Sequence, residues 1–495
     1  MQNPKGINDI LSRITRMRKK VTTLIEKKDY ENALLLISCM AEILYKYNQS
    51  YTDFDLEDKL QLIQRDISLT GKKHHAMPSS CKTIIFYDGF GLDLRGLAFI
   101  YLSALVKMNC RLVYIVRTKR RDKIPTITSL LKKHGAKIIY IPRLSLTDEY
   151  RYLVKVMEEY KPSAGFMYTT PNDVSGIMAF MAGKNKYIRY QINLTDHAFW
   201  LGCNAFDFSI EFRDYGASIS HYYRNIPKEK IIKLPYYPYI DKSKDFEGYP
   251  FSVSENDLII FSGGSLYKTF DGKGNLYYKI IDFCLHNYKQ VKFWYAGSGD
   301  DSELVKLMRK YPNRVFRTDE RNDLFQIMLN IDIYISTYPM NGGLMSQYSA
   351  IAGIVPLTLR SGEETGGILN SDIVSYEFDN LEDFKYELQH LLSDKAYRIN
   401  QGKKLKESIM SKHVFDEVLK QIIRENYSPF EISYWKPDVK NLMETYRKNF
   451  NKIEFEKIIA KPAYFGLFKF FPEMFTSGLI VRGGGIMCRI ISRLA

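Results

Sequence analysis

Glycine-rich turns follow short apolar stretches at several places between residues 261 and 367. Glycine allows a backbone to approach a ligand closely, and open parallel sheets bind ligands at the loops that follow their strands. The pattern therefore predicts a binding site at one sheet edge, of the kind that holds a nucleotide diphosphate. The glycines concerned are Gly263 and Gly264, Gly297, and Gly342 and Gly343, followed by a closing glycine loop at 361–367.

The segment 194–202 carries a second set of side chains that could take part in a reaction. His197 follows an apolar stretch, and Asp196 directly precedes it. A histidine oriented by a carboxylate can act as a general base for a hydroxyl group. A histidine with a purely structural role is the alternative, and both interpretations are open from the sequence.

Strand and helix patterns alternate in two blocks of similar size, separated by a proline-bearing segment at 234–240. Such alternation predicts right-handed crossovers and parallel sheets. We therefore predict an α/β chain with four parts: a helical N-terminal region at 1–78, a Rossmann-like domain at 79–240, a second Rossmann-like domain at 241–395, and C-terminal helices with a basic aromatic tail at 396–495.

The composition favours a folded protein with anionic partners. The chain has 495 residues, 45% of them hydrophobic, and a formal net charge of +15. A basic balance favours nucleic acid, anionic lipid or phosphorylated substrates, and no nucleic-acid-binding motif is recognisable, so we expect no nucleic-acid partner. The six cysteines show neither metal-ligand spacing nor a disulfide framework. These features, without a visible signal peptide or apolar span, predict a cytoplasmic protein with no catalytic metal.

Two Rossmann-like blocks, with the glycine loops concentrated in the second, resemble a glycosyltransferase of the GT-B architecture, in which two such domains face a cleft. The stretch FSGGSLYK at 261–268 resembles the loop that carries the donor-phosphate lysine in O-GlcNAc-transferase-like enzymes. The stretch 341–356 resembles their donor-diphosphate loop and helix. The chain is also similar to family 4 of the bacterial sugar transferases, and the likeness covers residues 80–395.

This resemblance implies metal-independent sugar transfer from a nucleotide-diphosphate sugar, with a UDP-sugar favoured and no further cofactor. It assigns Lys268 to the departing diphosphate, whose charge a lysine, backbone amides and a helix N-terminus can neutralise. His197 is then either the base for the acceptor hydroxyl, oriented by Asp196, or a ligand of the donor phosphate or sugar. The implied donor-binding residues are Gly263, Gly264, Lys268, Gly297, Arg317, Gly342, Gly343, Ser346, Glu363 and Glu364.

The sequence departs from both families at more than one position in the donor loop. They place an acidic residue, which contacts the nucleotide ribose, five positions before the glycine that corresponds to Gly353. Here that position is Tyr348. The departure keeps open a noncatalytic GT-B-like scaffold as an alternative to an enzyme.

The tail at 457–495 is rich in aromatic and cationic residues. This combination suits the headgroup boundary of an anionic membrane. The tail can equally pack back on the N-terminal half as a structural element, and the two interpretations can coexist.

These observations together predict a bacterial hexosyltransferase-like enzyme in the synthesis of surface polysaccharide, such as a capsule, or of a glycoconjugate. A lipid-linked acceptor would account for a peripheral position at the inner face of the cell membrane. A glycan or a protein is the other expected acceptor, and the N-terminal helices favour a protein O-glycosyltransferase as an alternative.

Overall fold

A computed structural model describes residues 4–68, 82–94, 96–241, 244–271, 274–360, 369 and 376–475. By their contacts, the residues form two compact units: Met1–Leu234 together with Asp416–Ala495, and Pro235–Phe415. Each unit contains one sheet whose neighbouring strands are all parallel. The predicted α/β class with two Rossmann-like sheets is confirmed.

The first unit begins with three helices, α1 (Pro4–Glu26), α2 (Tyr30–Tyr47) and α3 (Phe54–Ile67). The Asp29 carboxylate accepts a hydrogen bond from the Asn32 amide and caps α2, as its position before an apolar run predicts. The buried faces of these helices share one hydrophobic core with the sheet that follows. The N-terminal helices are therefore part of the first unit's own packing.

The first sheet has the strand order β3-β2-β1-β4-β5-β6-β7. Its central strand is buried along its whole length, because helices cover both faces of the sheet. The strands are β1 (Thr83–Asp88), β2 (Arg111–Arg117), β3 (Lys137–Ile141), β4 (Ala164–Tyr168), β5 (Ile188–Ile192), β6 (Phe208–Glu211) and β7 (Ile231–Lys233). The helices between them are α4 (Ala98–Leu105), α5 (Pro125–Lys133), α6 (Leu146–Tyr160), α7 (Val174–Ala182) and α8 (Asp214–Tyr222).

The second unit repeats this construction with the strand order β10-β9-β8-β11-β12-β13. Its central strand β8 is again buried throughout. The strands are β8 (Leu258–Gly263), β9 (Val291–Ala296), β10 (Val315–Thr318), β11 (Ile333–Ile335), β12 (Pro356–Leu359) and β13 (Glu377–Phe378). The helices are α9 (Leu276–Asn287), α10 (Ser302–Lys310), α11 (Leu324–Met328), α12 (Gly343–Ala352), α13 (Leu381–Ser393) and α14 (Lys395–Ser408).

The chain then returns to the first unit through α15 (Lys412–Glu425), α16 (Lys440–Asn449) and α17 (Lys452–Ile459), followed by short 3-10 turns at Pro462–Lys469 and Pro472–Met474. This helical C-terminal region agrees with the prediction. None of the helices in the described part of the chain is long and apolar enough to cross a lipid bilayer.

The described part of the aromatic tail packs on the N-terminal helices. The Tyr464 hydroxyl donates to Glu42 Oε2 at 2.8 Å and accepts from the Asn172 amide at 2.7 Å. The ammonium of Lys461 pairs with the Glu42 carboxylate. Two aromatic rings remain exposed, those of Phe465 (54%) and Phe468 (41%). The buried side chains in the described part of the tail are those of Ile458, Ile459, Ala460, Tyr464, Leu467, Phe471, Met474 and Phe475.

Candidate functional site

The carboxyl ends of β8 and β9 lie side by side in the second sheet, and their loops are hydrogen-bonded to each other. The Gly264 amide donates to the Ala296 carbonyl at 2.9 Å, and the Leu266 amide donates to the Ser298 carbonyl at 2.9 Å. Gly264 has a φ of 128°, a conformation that favours glycine. The two glycine loops, 263–266 and 296–299, are therefore paired with each other, and together we call them the double turn.

Gly297 lies in the centre of this double turn. A Cβ atom on Gly297 would lie 1.9 Å from the Gly264 carbonyl oxygen, so only glycine fits. A Cβ atom on Gly263 would meet the Ala296 carbonyl oxygen at 3.2 Å and the Met345 methyl group at 3.2 Å. Met345 belongs to α12, so the N-terminal part of that helix packs at the end of β8. The structure thus brings together three of the predicted donor glycines.

Lys268 stands in the 3-10 turn Leu266–Thr269 that follows the double turn, and its side chain is half-buried. The Thr269 hydroxyl donates to the Leu266 carbonyl at 2.7 Å and fixes this turn. The Lys268 carbonyl accepts a hydrogen bond from the Met340 amide at 3.3 Å. Lys268 is therefore tied to the loop that leads from β11 into α12.

Helix α12 begins without a side-chain cap at Gly342. The Gly342 amide donates to the Ser336 hydroxyl at 3.2 Å, and the Tyr334 hydroxyl lies 3.2 Å from where a Cβ on Gly342 would be. The first amides of a helix, including that of Gly343, have no partner within the helix and carry a partial positive charge. The Ser346 hydroxyl is buried and has no hydrogen-bond partner among the described residues.

Arg317 reaches the same double turn from β10, but its guanidinium is already engaged. It pairs with the Asp301 carboxylate at 2.8 Å and lies 3.4 Å from the Gly297 carbonyl oxygen. Arg321, four residues later, forms a two-pronged contact with the buried Asp323 carboxylate, with distances of 2.8 and 2.6 Å. Both arginines therefore hold loops together in this structure.

Two further predictions for the donor half concern the acidic pair in the closing glycine loop and the position of the expected acidic residue. Glu363 and Glu364 lie outside the described residues. Tyr348, which occupies the place of the expected acidic residue, donates from its hydroxyl to the Tyr239 carbonyl at 2.8 Å. Its hydroxyl is therefore used to anchor the segment that enters the second unit.

In the first unit, Asp196 is paired mainly with Arg213. The guanidinium of Arg213 donates to both carboxylate oxygens, at 2.6 and 3.0 Å. His197 Nδ1 lies farther away, 3.5 Å from Asp196 Oδ1, and 43% of its side chain is exposed. Burial acts to raise the pKa of Asp196, but the charge of Arg213 and hydrogen bonds from His197 and Arg213 outweigh it and hold that pKa below its ordinary value. Asp196 is therefore a permanent carboxylate.

The backbone around His197 is held by the N-terminal helices. The Asn48 side chain donates to the His197 carbonyl at 3.2 Å and accepts from the Phe199 amide at 3.0 Å. The buried Glu57 carboxylate accepts the amides of Gly202 and Cys203 at 2.6 and 3.1 Å. These bonds hold the middle of the loop and its last residue against the N-terminal helices.

A buried arginine completes the support of this loop. Arg224 donates to the carbonyls of Thr195, Asp196 and Ala198, at 3.2, 3.2 and 2.8 Å, and its guanidinium lies 4.7 Å from the centre of the Trp200 ring. Sequence reasoning missed these supporting roles, because the partners are far apart in the chain and no local pattern marks them. In the described ranges, no set of three metal-ligating side chains comes together.

Solved structures resemble this chain in fold. A mutant of the O-GlcNAc transferase from Thermobaculum terrenum aligns with a TM-score of 0.51 and 12% sequence identity, covering 88% of this chain and 82% of that chain. A glycosyltransferase from Rickettsia africae ESF-5 aligns with a TM-score of 0.51 and 13% identity, covering 70% of this chain and 99% of that chain. No family model matches the sequence, and no curated protein is significantly similar to it.

The two successive parallel sheets and these likenesses define the fold as GT-B, the glycosyltransferase architecture that the sequence predicted. At such low identities the likeness concerns the fold alone. The chemistry of the donor loops and of the His197 segment therefore rests on this chain's own residues.

Proposed function

We propose that this chain is a glycosyltransferase that moves a sugar from a nucleotide-diphosphate sugar, with UDP as the favoured nucleotide, to an acceptor in surface polysaccharide or glycoconjugate synthesis. The observation that carries the proposal is the donor edge of the second unit. There the double turn around Gly297, the Lys268 turn and the uncapped start of α12 are linked by hydrogen bonds and packing.

The chemistry of this edge suits a departing diphosphate. In the transfer, an acceptor hydroxyl oxygen bonds to the anomeric carbon of the sugar, and the bond from that carbon to the diphosphate oxygen breaks. Negative charge accumulates on the diphosphate. Lys268 and the first backbone amides of α12, including that of Gly343, can stabilise this charge, with the Ser346 hydroxyl as an additional donor.

The acceptor hydroxyl must lose a proton during this step. His197 is the candidate base, because its ring is accessible and its neighbour Asp196 is a permanent carboxylate. A positioned histidine commonly contributes a factor of about 10²–10⁴ in such a role. Contact with the donor phosphate or sugar remains the alternative role for this side chain.

A thermal-shift screen tests the donor class. Nucleoside diphosphates and their sugars should be added separately, and a selective ligand at about 100 times its Kd should stabilise the protein by about 2.7 kcal/mol. The stabilising nucleotide should then support release of nucleoside diphosphate in the presence of acceptor, unaffected by a chelator. If no nucleotide shifts the melting temperature, the proposal fails.

One observation favours a second candidate, a noncatalytic GT-B-like scaffold. The Tyr348 hydroxyl is committed to the Tyr239 carbonyl at the place where related enzymes carry an acidic residue. A scaffold of this kind would bind a nucleotide sugar, or none, without turnover. Stabilisation by a nucleotide sugar with no release of diphosphate under any acceptor condition would favour it.

The acceptor and the location are also proposals. The likeness to an O-GlcNAc transferase covers 88% of this chain, which supports a protein acceptor as an alternative to a glycan. The exposed rings of Phe465 and Phe468 support contact with a membrane surface. A lipid-linked acceptor at the cytoplasmic face of the cell membrane would fit this second feature.

A further inference from the structure

A cavity of about 390 Å³ opens in the first unit, within the roughly 300–1,000 Å³ range of small-molecule sites. It lies at the amino-terminal ends of β5, β6 and β7, with α3 and the end of α7 as its other walls. The His197 loop follows the carboxyl end of β5. The cavity is therefore at the opposite sheet edge from that loop, and nothing in the proposed transfer uses it.

Three cations surround the cavity, and none of them forms an ion pair within the described part of the chain. They are Arg65 from α3, Lys184 after α7 and Lys230 before β7. All three side chains are exposed. Cations that converge on one cavity from separate elements are what an anionic ligand requires, because each contributes attraction.

The floor of the cavity is a closed ion pair. Arg189, 2% exposed as a side chain, donates to the Asp207 carboxylate at 2.7 and 3.1 Å and to the Phe180 carbonyl at 3.1 Å. Asp207 is the one carboxylate among the lining residues. Because Arg189 neutralises it, the three exposed cations leave the cavity with a net positive charge.

The remaining walls offer uncommitted amides and apolar surface. The side-chain amides of Gln61 and Asn204 line the cavity and make no hydrogen bond to the described residues. Met181 and Phe206 line it as well, and both are buried. Amides can bond to hydroxyl groups, and these two amides are the groups available to the hydroxyls of a ligand.

We propose that this cavity binds a phosphorylated sugar, with the phosphate held by Arg65, Lys184 and Lys230 and the hydroxyls held by Gln61 and Asn204. Arginine and lysine are the usual partners of phosphate oxygens. The cavity volume is sufficient for a monosaccharide phosphate. This site is separate from the donor edge, and its existence does not depend on the proposed transfer activity.

Isothermal titration calorimetry on the full chain tests the proposal with three probes: glucose 6-phosphate, inorganic phosphate and glucuronate. We expect glucose 6-phosphate to bind most tightly, and binding to weaken as salt is raised. The Lys268→Ala variant should keep this binding, which separates the cavity from the donor edge. Loss of binding in Lys268→Ala would overturn the assignment to the cavity.

Matched variants locate the site. Lys184→Gln with Lys230→Gln should weaken glucose 6-phosphate binding at least about tenfold. Lys186→Gln with Lys228→Gln removes the same charge from exposed positions two residues away, which do not line the cavity, and should leave binding unchanged. Equal weakening in both pairs would mean a diffuse charge effect and would overturn the site.

The sugar component has its own test. Gln61→Ala should weaken glucose 6-phosphate binding and leave inorganic phosphate binding as it is. If inorganic phosphate binds as tightly as glucose 6-phosphate, or if glucuronate binds better than both, the phosphorylated sugar is the wrong ligand class. All of these substitutions are at accessible side chains, so unchanged melting curves will confirm that the variants are folded.

Discussion

The carbonyl oxygen of Gly264 occupies the place that a side chain on Gly297 would need, since a Cβ there would lie 1.9 Å from that oxygen. The two loops can approach each other in this way only while residue 297 lacks a Cβ atom, whereas Gly264 is favoured by its φ of 128° and not by crowding. The close approach of the two loops, which holds the Lys268 turn in place, therefore depends on glycine at position 297.

Gly297→Ala should therefore destabilise the second unit by about 1–3 kcal/mol, because backbone atoms must move apart to admit the methyl group. Nucleotide binding should weaken with it. Thermal unfolding and nucleotide titration will measure both effects. Gly274→Ala is the matched control, since its Cβ would meet only the end of the Lys279 side chain, at 3.6 Å. Equal stability of the two variants would contradict the packing argument.

Lys268→Ala should lower kcat by a factor of about 10²–10³, because a donor to the charge that develops on the diphosphate is removed. The melting temperature should change little, since the side chain is only half-buried. Lys279→Ala, at an exposed position of α9 in the same unit, is the control for the loss of a positive charge. Steady-state kinetics will measure the effect, and normal turnover in Lys268→Ala would remove the assignment.

His197→Ala should abolish transfer and largely preserve nucleotide binding if His197 is the base. His134→Ala, at an exposed position of the first unit, serves as the comparison. A loss of nucleotide affinity would instead assign His197 to donor contact, and unchanged activity would leave it a structural role.

Glu57→Gln should change how stability depends on pH. Burial raises the pKa of the Glu57 carboxyl from an ordinary 4.5 to about 7, although the amides of Gly202 and Cys203 act to lower it. The unfolded chain releases this proton at lower pH than the folded chain, so the free energy of unfolding falls as pH rises between those two values. Glutamine does not ionise, so the Glu57→Gln variant should not lose this part of the free energy of unfolding as pH rises.

The free energy of unfolding of Glu57→Gln, relative to that of the natural protein, should therefore rise by up to about 3 kcal/mol between about pH 5 and pH 8. The rise corresponds to roughly 1.4 kcal/mol for each unit of pKa. Denaturant unfolding at several pH values will measure the difference. Glu159→Gln changes an exposed carboxylate of α6 in the same unit and should show no such trend. A constant difference between Glu57→Gln and the natural protein would mean that Glu57 does not hold its proton in the folded state.

Phe465→Ser with Phe468→Ser should reduce binding to vesicles and leave the fold intact, because both rings are exposed. Binding of the natural chain should increase with anionic lipid and weaken with salt, at about 1 kcal/mol for each cation near the surface. Co-sedimentation will measure it. Leu467 lies between these two phenylalanines but is buried, so Leu467→Ser should lower the melting temperature instead. If the natural chain does not bind anionic vesicles, the proposed contact with a membrane is wrong.

Truncation after Ile459 is, for the same reason, a poor test of membrane binding. It would remove Leu467, Phe471 and Met474, which are buried against the first unit's core. Loss of even one such side chain commonly costs about 2–5 kcal/mol. The truncated chain should unfold in its first unit whether or not the natural tail contacts lipid.

The sequence predicted the parts of this molecule that depend on local pattern. Alternating apolar runs predicted both parallel sheets, and glycines after apolar runs predicted that Gly263 and Gly297 would lie at strand ends. Both glycines meet at one sheet edge because β8 and β9 are parallel neighbours. These signals were readable because each involves residues that are close in sequence.

The pairings of the charged side chains were not readable in this way. Arg317 is held by Asp301 and Asp196 by Arg213, and each pair forms only after separate strands and helices have come together. The aromatic tail was ambiguous for a different reason. Phenylalanine and cationic residues suit both a membrane surface and a partly covered core, and only packing separates the buried Phe471 from the exposed Phe468.

The first unit is assembled from two distant stretches of chain, Met1–Leu234 and Asp416–Ala495, with the second unit inserted between them. During translation the inserted unit is complete before Tyr464 and the apolar residues after it reach their places on α2. Between the end of the first stretch at Leu234 and the synthesis of Tyr464, about 230 residues are added, which at about 5–20 residues per second takes on the order of 10–50 s. Throughout that time the first unit exposes the apolar surface that the tail will cover. Synthesis that stops just after the inserted unit therefore leaves one finished unit attached to one that is prone to aggregation.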